Sequence, residues 1–110
     1  MGEPIDELMI EDLIEGSGSE CPAGATVSVH YKGTLMDGTE FDSSYARGEP
    51  IAFPLGNLIQ GWQEGIPGMK VGGKRKLTVP YVKAYGEYGS PPAIPARADL
   101  IFEIELLGIV

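Results

Sequence analysis

Strict alternation of apolar and polar residues predicts two strands in this chain. In TVSVHYK, Val27, Val29 and Tyr31 fall on one face, and the C-terminal segment DLIFEIELLGIV alternates over residues 100–106. A period of two residues is typical of a strand with one buried face, because successive side chains point to opposite sides of the sheet. The C-terminal segment is the longest and clearest of the predicted strands.

Shorter segments predict the remaining strands. The Asp37-Gly38 turn indicates a hairpin between TVSVHYK and the segment that begins at Phe41. Further strands are predicted for LMIEDLI near the N-terminus, for IAF at residues 51–53 and for KRKLTVP at residues 74–80. The segment YARGEP, with its glycine and proline, is predicted to be a loop.

One segment, NLIQGWQEGIPG, changes to a helical period. Leu58, Trp62 and Ile66 are spaced by four residues, which predicts a short helix with one apolar stripe. Asn57 is expected to cap its start. Because Gly61 inside the helix costs about 1 kcal/mol relative to alanine, we expect another segment to pack closely against its backbone.

These elements define the fold class. Five or six strands, one short helix and no strand–helix–strand rhythm favour an α+β fold, in which an antiparallel sheet folds over a single helix. With 110 residues, of which 43% are hydrophobic, the chain fits one domain over residues 1–110. Residues 1–7 are predicted to form a flexible acidic arm.

Charge is distributed unevenly along the chain. The net charge is −8, and the first twenty residues carry seven acidic and no basic residues, whereas the remainder carries nine acidic and eight basic ones. Without a basic stripe we expect no nucleic-acid partner, and without a run of about 20 apolar residues we expect no membrane span. The acidic start, unlike a secretory signal, predicts a cytoplasmic protein unless a leader was removed. A monomer is the default expectation.

Cysteine and histidine each occur once, as Cys21 and His30. A single cysteine permits no intrachain disulfide and no cysteine-based metal site, and alternation is expected to point His30 towards solvent. We therefore expect neither a metal nor a cofactor. The segment GMKVGGKR resembles a phosphate-binding loop, but Arg75 replaces the Ser or Thr that would bind magnesium, and a strand is predicted where a helix is needed.

Asp42 has two interpretations. It follows Phe41 directly and is a candidate for a binding site, yet it could equally cap a turn or pair with Arg47. No second acid is paired with it by the sequence, which disfavours a hydrolase of the glycosidase type.

Six aromatic residues occupy positions that are predicted to face inward on six different segments. An ordinary core is one interpretation, but buried tyrosine hydroxyls and an indole N–H each need a hydrogen-bond partner. The other is an aromatic cup with a polar rim, which would hold a flat, apolar, cyclic side chain such as proline. The set is Tyr31, Phe41, Phe53, Trp62, Tyr85 and Phe102.

Four blocks of the sequence resemble the signature blocks of the FKBP-type peptidyl-prolyl cis-trans isomerases. They are VSVHYKGTLMDGTEFDSS, GWQEGIPGMKVGGKRKLTVP, AYGEYGSPPAIP and LIFEIELL, and the resemblance extends in order from about Leu8 to Leu107. It implies a twisted antiparallel half-barrel wrapped around the short helix, with a pocket between helix and sheet. It also implies an isomerase without a cofactor that acts on X–Pro bonds in unfolded or flexible segments, assists folding and binds rapamycin-type macrolides.

The resemblance also implies roles for individual residues. Tyr31, Asp42, Ile59 and Tyr85 would be catalytic: the Ile59 N–H and the Tyr85 hydroxyl would bind substrate carbonyls. Asp42 would lie at the rim, held by Tyr31 and Arg47. The substrate-binding residues would be Phe41, Arg47, Phe53, Leu58, Trp62, Ile94 and Phe102, with Trp62 as the floor under the proline ring.

Some positions depart from the family's pattern. Ile51 stands where many relatives carry a second aromatic residue, Ser90 where many carry histidine, and Ala93 where a larger aliphatic residue is common. These positions lie at the rim and bear on side-chain preference and macrolide affinity. The segment AYGEYGSPPAIP is interpreted as a flap over the pocket and not as a proline-rich ligand for another protein. A non-catalytic adaptor that keeps the pocket is the alternative function.

Overall fold

The computed structural model of the protein describes residues 7–110, so the arm predicted for residues 1–7 lies outside the described residues except for Glu7. This part of the chain contains six strands, two short α-helices and two 3₁₀ turns. The strands are β1 (Met9–Ile14), β2 (Thr26–Leu35), β3 (Glu40–Ser43), β4 (Ile51–Pro54), β5 (Lys74–Val79) and β6 (Leu100–Ile109). The α-helices are α1 (Ser44–Arg47) and α2 (Gln60–Gly65), and the 3₁₀ turns cover Leu55–Asn57 and Tyr81–Lys83.

The six strands form one antiparallel sheet. Its order is β1–β5–β6–β2–β3, and β4 pairs with β2 beyond the end of β3. The ten-residue strands β2 and β6 are neighbours near the middle and pair from Val27 opposite Ile109 to Leu35 opposite Leu100. The predicted α+β fold, an antiparallel sheet with a short helix packed on it, is confirmed.

The core lies on the face of the sheet that alternation predicted. Val27 and Val29 on β2 and Ile104 on β6 are fully buried, whereas their neighbours His30 and Glu103 are only half-buried. Complete burial of such a side chain stabilises the fold by about 1.5–3 kcal/mol. The alternation therefore fixes which face of the two central strands packs against α2.

Helix α2 packs its glycines against β5. A Cβ atom added at Gly61 would lie 2.5 Å from Cγ1 of Val79, and one added at Gly65 would lie 2.7 Å from Cδ1 of Leu77. The prediction that another segment packs closely against Gly61 is confirmed. This close approach brings Trp62, the residue after Gly61, into the core with only 4% of its surface exposed.

The start of α2 differs from the prediction. The expected cap, Asn57, ends a 3₁₀ turn, and Leu58 and Ile59 are extended, with ψ of 173° and 154°, before the helix begins at Gln60. The Gln63 side chain donates to the Leu58 carbonyl oxygen over 2.7 Å and stabilises this break. The segment is therefore two short helical pieces separated by two extended residues.

The segment predicted as the loop YARGEP begins instead within helix α1. Ser43 caps this helix, because its hydroxyl accepts a hydrogen bond from the Ala46 N–H at 3.3 Å. Gly48 ends it in the left-handed region, with φ of 79°. Serine before a helix and glycine after it are ordinary signals of the helix ends. The prediction of a loop gave more weight to the glycine and proline of the segment than to these signals.

Arg75 joins α2 to the edge of the sheet. Its Nη1 donates to the carbonyl oxygen of Gly65, the last residue of α2, at 2.8 Å, and its Nε donates to Asp12 on β1 at 2.6 Å. Only 11% of its side chain is exposed. A cation is favourable at a helix C-terminus, where carbonyl groups lack intrahelical partners. Arg75 therefore has a structural role in β5, the predicted strand that begins at Lys74, within GMKVGGKR.

Candidate active site

A pocket of about 230 Å³ lies between α2 and the sheet. Its walls come from β2, β3, β4, β6, the segment around α2 and the loop after the second 3₁₀ turn, so residues far apart in the sequence meet there. All of the lining residues are among those that the sequence singled out. They are Tyr31, Phe41, Asp42, Phe53, Leu58, Ile59, Trp62, Tyr85 and Phe102.

Trp62 is the centre of the aromatic cluster. Its ring meets Tyr31, Phe53 and Phe102 nearly at right angles, with interplanar angles of 81°, 88° and 88° and centroids 5.2, 5.8 and 5.3 Å away. Phe41 meets Phe102 in the same way, at 5.7 Å and 87°. Each such edge-to-face pair stabilises the arrangement by about 0.5–1.5 kcal/mol beyond its buried area. The cluster is therefore a rigid apolar surface.

The indole nitrogen of Trp62 is buried without a hydrogen-bond partner among residues 7–110. A buried donor left unpaired usually costs about 1–3 kcal/mol, so most buried donors in folded proteins are paired. The Trp62 N–H is thus a local departure from that rule in the buried part of the aromatic cluster.

Tyr31, Asp42 and Arg47 form a closed set of hydrogen bonds at the rim. The Tyr31 hydroxyl donates to Oδ2 of Asp42 at 2.5 Å. The Arg47 guanidinium donates to Oδ1 of Asp42 at 2.8 Å and to the Tyr31 hydroxyl at 3.0 Å. Asp42 therefore fits both interpretations, because it pairs with Arg47 and also lines the pocket.

The environment of these groups keeps Asp42 ionised and Tyr31 neutral. Burial works to raise the pKa of Asp42, but hydrogen bonds from Tyr31, Arg47 and the Ser43 N–H together outweigh it, so the pKa lies below its ordinary value. Burial, followed by the hydrogen bond to Asp42, raises the pKa of Tyr31. The phenol therefore remains the donor and the carboxylate the acceptor.

The lowered pKa of Asp42 predicts a pH-dependent contribution to stability. A pKa that is lower in the folded state than in the unfolded state stabilises the folded protein. This stabilisation is fully present above pH 3.8, the unfolded-state pKa of Asp42, and is lost as the pH falls through the lower folded-state pKa. We expect Asp42→Asn to destabilise the protein by less than about 1 kcal/mol near pH 6, because the pair is partly exposed. The difference from wild type in urea unfolding should shrink as the pH is lowered through 3.8 towards pH 2. An equal difference at both pH values would contradict this assignment.

Ile59 and Tyr85 place two polar groups on the pocket. The Ile59 carbonyl accepts hydrogen bonds from the N–H groups of Trp62 and Gln63 at the start of α2, at 3.0 and 3.2 Å. Its own N–H has no acceptor among residues 7–110. Burial, and then the charge of Asp42, raises the pKa of Tyr85, so its hydroxyl stays protonated. Both groups can therefore donate to a bound molecule.

Two of the predicted binding residues lie outside the pocket wall. Arg47 contacts the site through Asp42 and Tyr31. Ile94 is 5% exposed and belongs to the core, and its backbone pairs with Ser90 in both directions, at 2.8 and 3.0 Å. Ile94, which the resemblance places among the substrate-binding residues, therefore stiffens the base of the loop and is not part of the pocket wall.

A further group of residues lies beside the site and could not be predicted from the sequence. His30 was expected to face solvent, but it is half-buried, and its Nδ1 lies 2.8 Å from the Ser44 hydroxyl. Ser44 is fully buried and also accepts a hydrogen bond from the Tyr31 N–H at 2.7 Å. These contacts join residues on β2 to α1, so no local sequence signal could have predicted them.

Other candidate chemistry is sparse in the described residues. No three His, Cys, Asp or Glu side chains within residues 7–110 lie together in a way that could hold a metal ion. Cys21 is buried, and burial raises the pKa of its thiol. In the same part of the chain, no helix has the length and apolar character needed to cross a membrane.

Comparison with known proteins assigns the family. Residues 18–107 match the model for FKBP-type peptidyl-prolyl cis-trans isomerases. An FK506-binding protein of Neisseria meningitidis serogroup B is 52% identical over 104 residues, which cover 93% of this chain and 95% of that protein. A peptidyl-prolyl cis-trans isomerase of Saccharomyces cerevisiae is 55% identical over 109 residues, which cover 96% and 74%.

The fold agrees with this assignment. A crystal structure of a peptidyl-prolyl cis-trans isomerase from Pseudomonas syringae superimposes with a TM-score of 0.87 at 35% identity, and covers 98% of this chain and 79% of that one. The chain belongs to the FKBP-type peptidyl-prolyl cis-trans isomerases. Its activity is accordingly the cis–trans isomerisation of X–Pro peptide bonds.

Proposed function

We propose that the aromatic pocket holds the proline ring of an X–Pro segment and that isomerisation takes place there without a covalent step. The observation that carries this proposal is the pocket itself. It has an aromatic wall around Trp62, and its lining includes Ile59 and Tyr85, whose N–H and hydroxyl have no acceptor among residues 7–110. A flat apolar ring flanked by two carbonyl groups matches that arrangement.

The mechanism follows from the properties of the amide bond. Rotation about an X–Pro bond meets a barrier of ~18–20 kcal/mol, because resonance is lost when the amide twists. Water favours the planar, polar amide, so an apolar pocket that excludes water withdraws this stabilisation. Donors fixed at Ile59 and Tyr85 hold the flanking carbonyls while the bond between them rotates. Only interactions that are stronger in the twisted state lower the barrier.

Asp42 acts in this scheme by holding Tyr31 in place. Its carboxylate accepts hydrogen bonds from Tyr31, Arg47 and the Ser43 N–H, and its pKa is lowered. A carboxylate with these partners is a poor base, and the reaction requires no proton transfer. We therefore assign Asp42 to orienting the Tyr31 ring in the pocket wall.

The substrates and setting are part of the same proposal. The pocket can be reached from the protein surface and has no large lid among residues 7–110, which suits prolines in unfolded or flexible chains and a role in assisting folding. The names of the Neisseria relatives refer to FK506, and we propose that this pocket also binds macrolides of the rapamycin type. We further propose that the protein binds no nucleic acid, because the body of the chain is nearly neutral, and that it is a cytoplasmic monomer.

Relaxation of an X–Pro peptide from cis to trans tests the proposal. Micromolar protein should accelerate relaxation, and a rapamycin-type macrolide should inhibit this acceleration by competing for the pocket. Titration of the peptide against the intrinsic fluorescence of Trp62 measures binding separately. Binding without acceleration would support an adaptor, and acceleration that the macrolide does not inhibit would place the reaction elsewhere.

Tyr85→Phe tests the role of the hydroxyl donor. Loss of one hydrogen bond to a substrate carbonyl should lower kcat about fivefold, since such a bond contributes about 1 kcal/mol. Peptide affinity should change less than kcat if the bond strengthens in the twisted state. The matched control is Tyr88→Phe, because Tyr88 is on the same loop but 88% exposed. Equal activity of the Tyr85 variant and wild type would remove Tyr85 from the mechanism.

A further inference from the structure

Strand β2 has a gap in its pairing next to the active site. On one edge it pairs with β6 from Val27 to Leu35, with a β-bulge between Ser28 and Val29, and His30 lies opposite Glu105 and Tyr31 opposite Ile104. On the other edge it pairs with β4 over residues 26–29 and with β3 over residues 32–34. His30 and Tyr31 lie between these two pairings and have no strand partner on that edge among residues 7–110.

The side chain of Ser44 fills this gap. Its hydroxyl oxygen accepts from the Tyr31 N–H at 2.7 Å, and the hydroxyl donates to the Tyr31 carbonyl oxygen at 3.3 Å. Ser44 is fully buried, so water does not compete for these groups. One side-chain hydroxyl thereby bonds both backbone groups that a neighbouring strand would otherwise pair.

His30 completes the hydrogen bonding of Ser44. A serine hydroxyl has one proton to donate and two lone pairs that accept. The Tyr31 N–H uses one lone pair, and the Tyr31 carbonyl takes the proton. The second lone pair is then available for His30, whose Nδ1 lies 2.8 Å away. All of these contacts are satisfied when Nδ1 of His30 carries a proton.

Tyr45 holds His30 from the outside. The two rings stack at 4.6 Å with an interplanar angle of 13°, and the Tyr45 hydroxyl donates to Oε1 of Glu105 at 3.1 Å. Burial, followed by the hydrogen bond to Glu105, raises the pKa of Tyr45 to about 12, so this phenol remains a donor. Tyr45 and Ser44 both belong to α1, which is therefore attached to β2 at two points.

We propose that Ser44, supported by His30 and Tyr45, is a positioning residue for isomerisation. Helix α1 also contains Arg47, and Asp42 lies two residues before the start of the helix. The position of α1 therefore determines where Asp42 and Arg47, the two hydrogen-bond partners of the Tyr31 hydroxyl, lie. Ser44 also bonds the backbone of Tyr31 itself. Its hydroxyl thus fixes the Tyr31 ring relative to Asp42 and Arg47. This inference rests on the proposed role of that group in the pocket wall.

The test compares Ser44→Ala with Ser28→Ala. Ser28 is half-buried on the same strand as His30 and Tyr31, but it lies in the part of β2 that pairs with β4. We expect Ser44→Ala to lower kcat about three- to tenfold with little change in KM, since it loses hydrogen bonds that hold the catalytic group. Ser28→Ala should keep kcat within about twofold of wild type. Equal losses of kcat in the two variants would overturn the proposal.

His30 variants give a second test that does not depend on the folding of Ser44→Ala. In His30→Asn the amide nitrogen takes the place of Nδ1, so kcat should stay near that of wild type. His30→Ala should lower kcat, but by less than Ser44→Ala, because Ser44 keeps its two hydrogen bonds to Tyr31. The double variant Ser44→Ala/His30→Ala should lose no more than Ser44→Ala alone, because His30 acts through the Ser44 hydroxyl. Additive losses, or equal activity of the two His30 variants, would contradict this role.

The outcome for Tyr85→Phe separates this inference from the proposed function. If Tyr85→Phe lowers kcat but Ser44→Ala does not, only the role of Ser44 fails. If wild type accelerates relaxation and neither variant lowers kcat, the proposed arrangement of the pocket fails as well. In the ¹⁵N spectrum of the wild type, Nδ1 of His30 should have the shift of a protonated ring nitrogen. A shift typical of an unprotonated nitrogen would contradict the proposed hydrogen-bond direction.

Discussion

Replacement of Trp62 by leucine is expected to lower kcat/KM for X–Pro isomerisation roughly ten- to thirtyfold, which corresponds to about 1.5–2 kcal/mol of lost contact with the proline ring. Leucine keeps the floor apolar but removes the flat surface. It also removes the edge-to-face contacts with Tyr31, Phe53 and Phe102, which hold the other walls in place. We expect the free energy of unfolding to fall by about 3 kcal/mol for the same reason.

The control for Trp62→Leu is Tyr88→Leu. Tyr88 is an aromatic residue three positions after Tyr85, which lines the pocket. With 88% of its surface exposed, Tyr88 contributes nothing to the pocket floor. Its replacement should leave kcat/KM and stability unchanged. The peptide relaxation assay measures activity, and urea unfolding shows that each variant is folded under assay conditions. If folded Trp62→Leu kept more than half of the wild-type kcat/KM, the proline ring would not rest on Trp62.

Alternation in the sequence predicted the sheet because the fold uses it directly. The inward positions of β2 and β6 are buried as the period of two requires, and this holds even for Tyr31 and Phe102, which form part of the pocket. The shorter strands were predicted from turn signals, and the packing of α2 from its period of four and from Gly61. The prediction was wrong at Asn57, because the period of four across Leu58 and Trp62 also fits two helical pieces separated by extended residues.

The aromatic residues left both an ordinary core and a binding cup open, and the family resemblance favoured the cup. Nothing local in the sequence brings Phe41, Phe53 and Tyr85 to the same place, since they lie on different elements. The contacts of Ser44 were beyond prediction for a related reason. They depend on a gap between two strands that pair with the same edge of β2, and such a gap is a property of the assembled sheet.

Gly61 is expected to be the position in α2 least tolerant of a side chain. Alanine would raise helix propensity by about 1 kcal/mol, but its Cβ would lie 2.5 and 2.9 Å from the two γ-carbons of Val79, which is fully buried. Because a β-branched side chain on a central strand cannot turn away, the helix must shift. We expect Gly61→Ala to destabilise the protein by about 2 kcal/mol in urea unfolding. Activity should fall too, because Trp62 is the next residue.

Val79→Ala supplies the decisive comparison for this prediction. It removes both γ-carbons that the new Cβ would meet. In that background Gly61→Ala should therefore leave the free energy of unfolding unchanged or raise it slightly. The interaction energy of the double-mutant cycle should be about 2–3 kcal/mol. Gly56→Ala is the control, because a Cβ there meets no atom within 4 Å. If Gly61→Ala were equally costly with valine and with alanine at position 79, the cost would arise within the helix itself. In that case close packing against β5 would not explain the glycine.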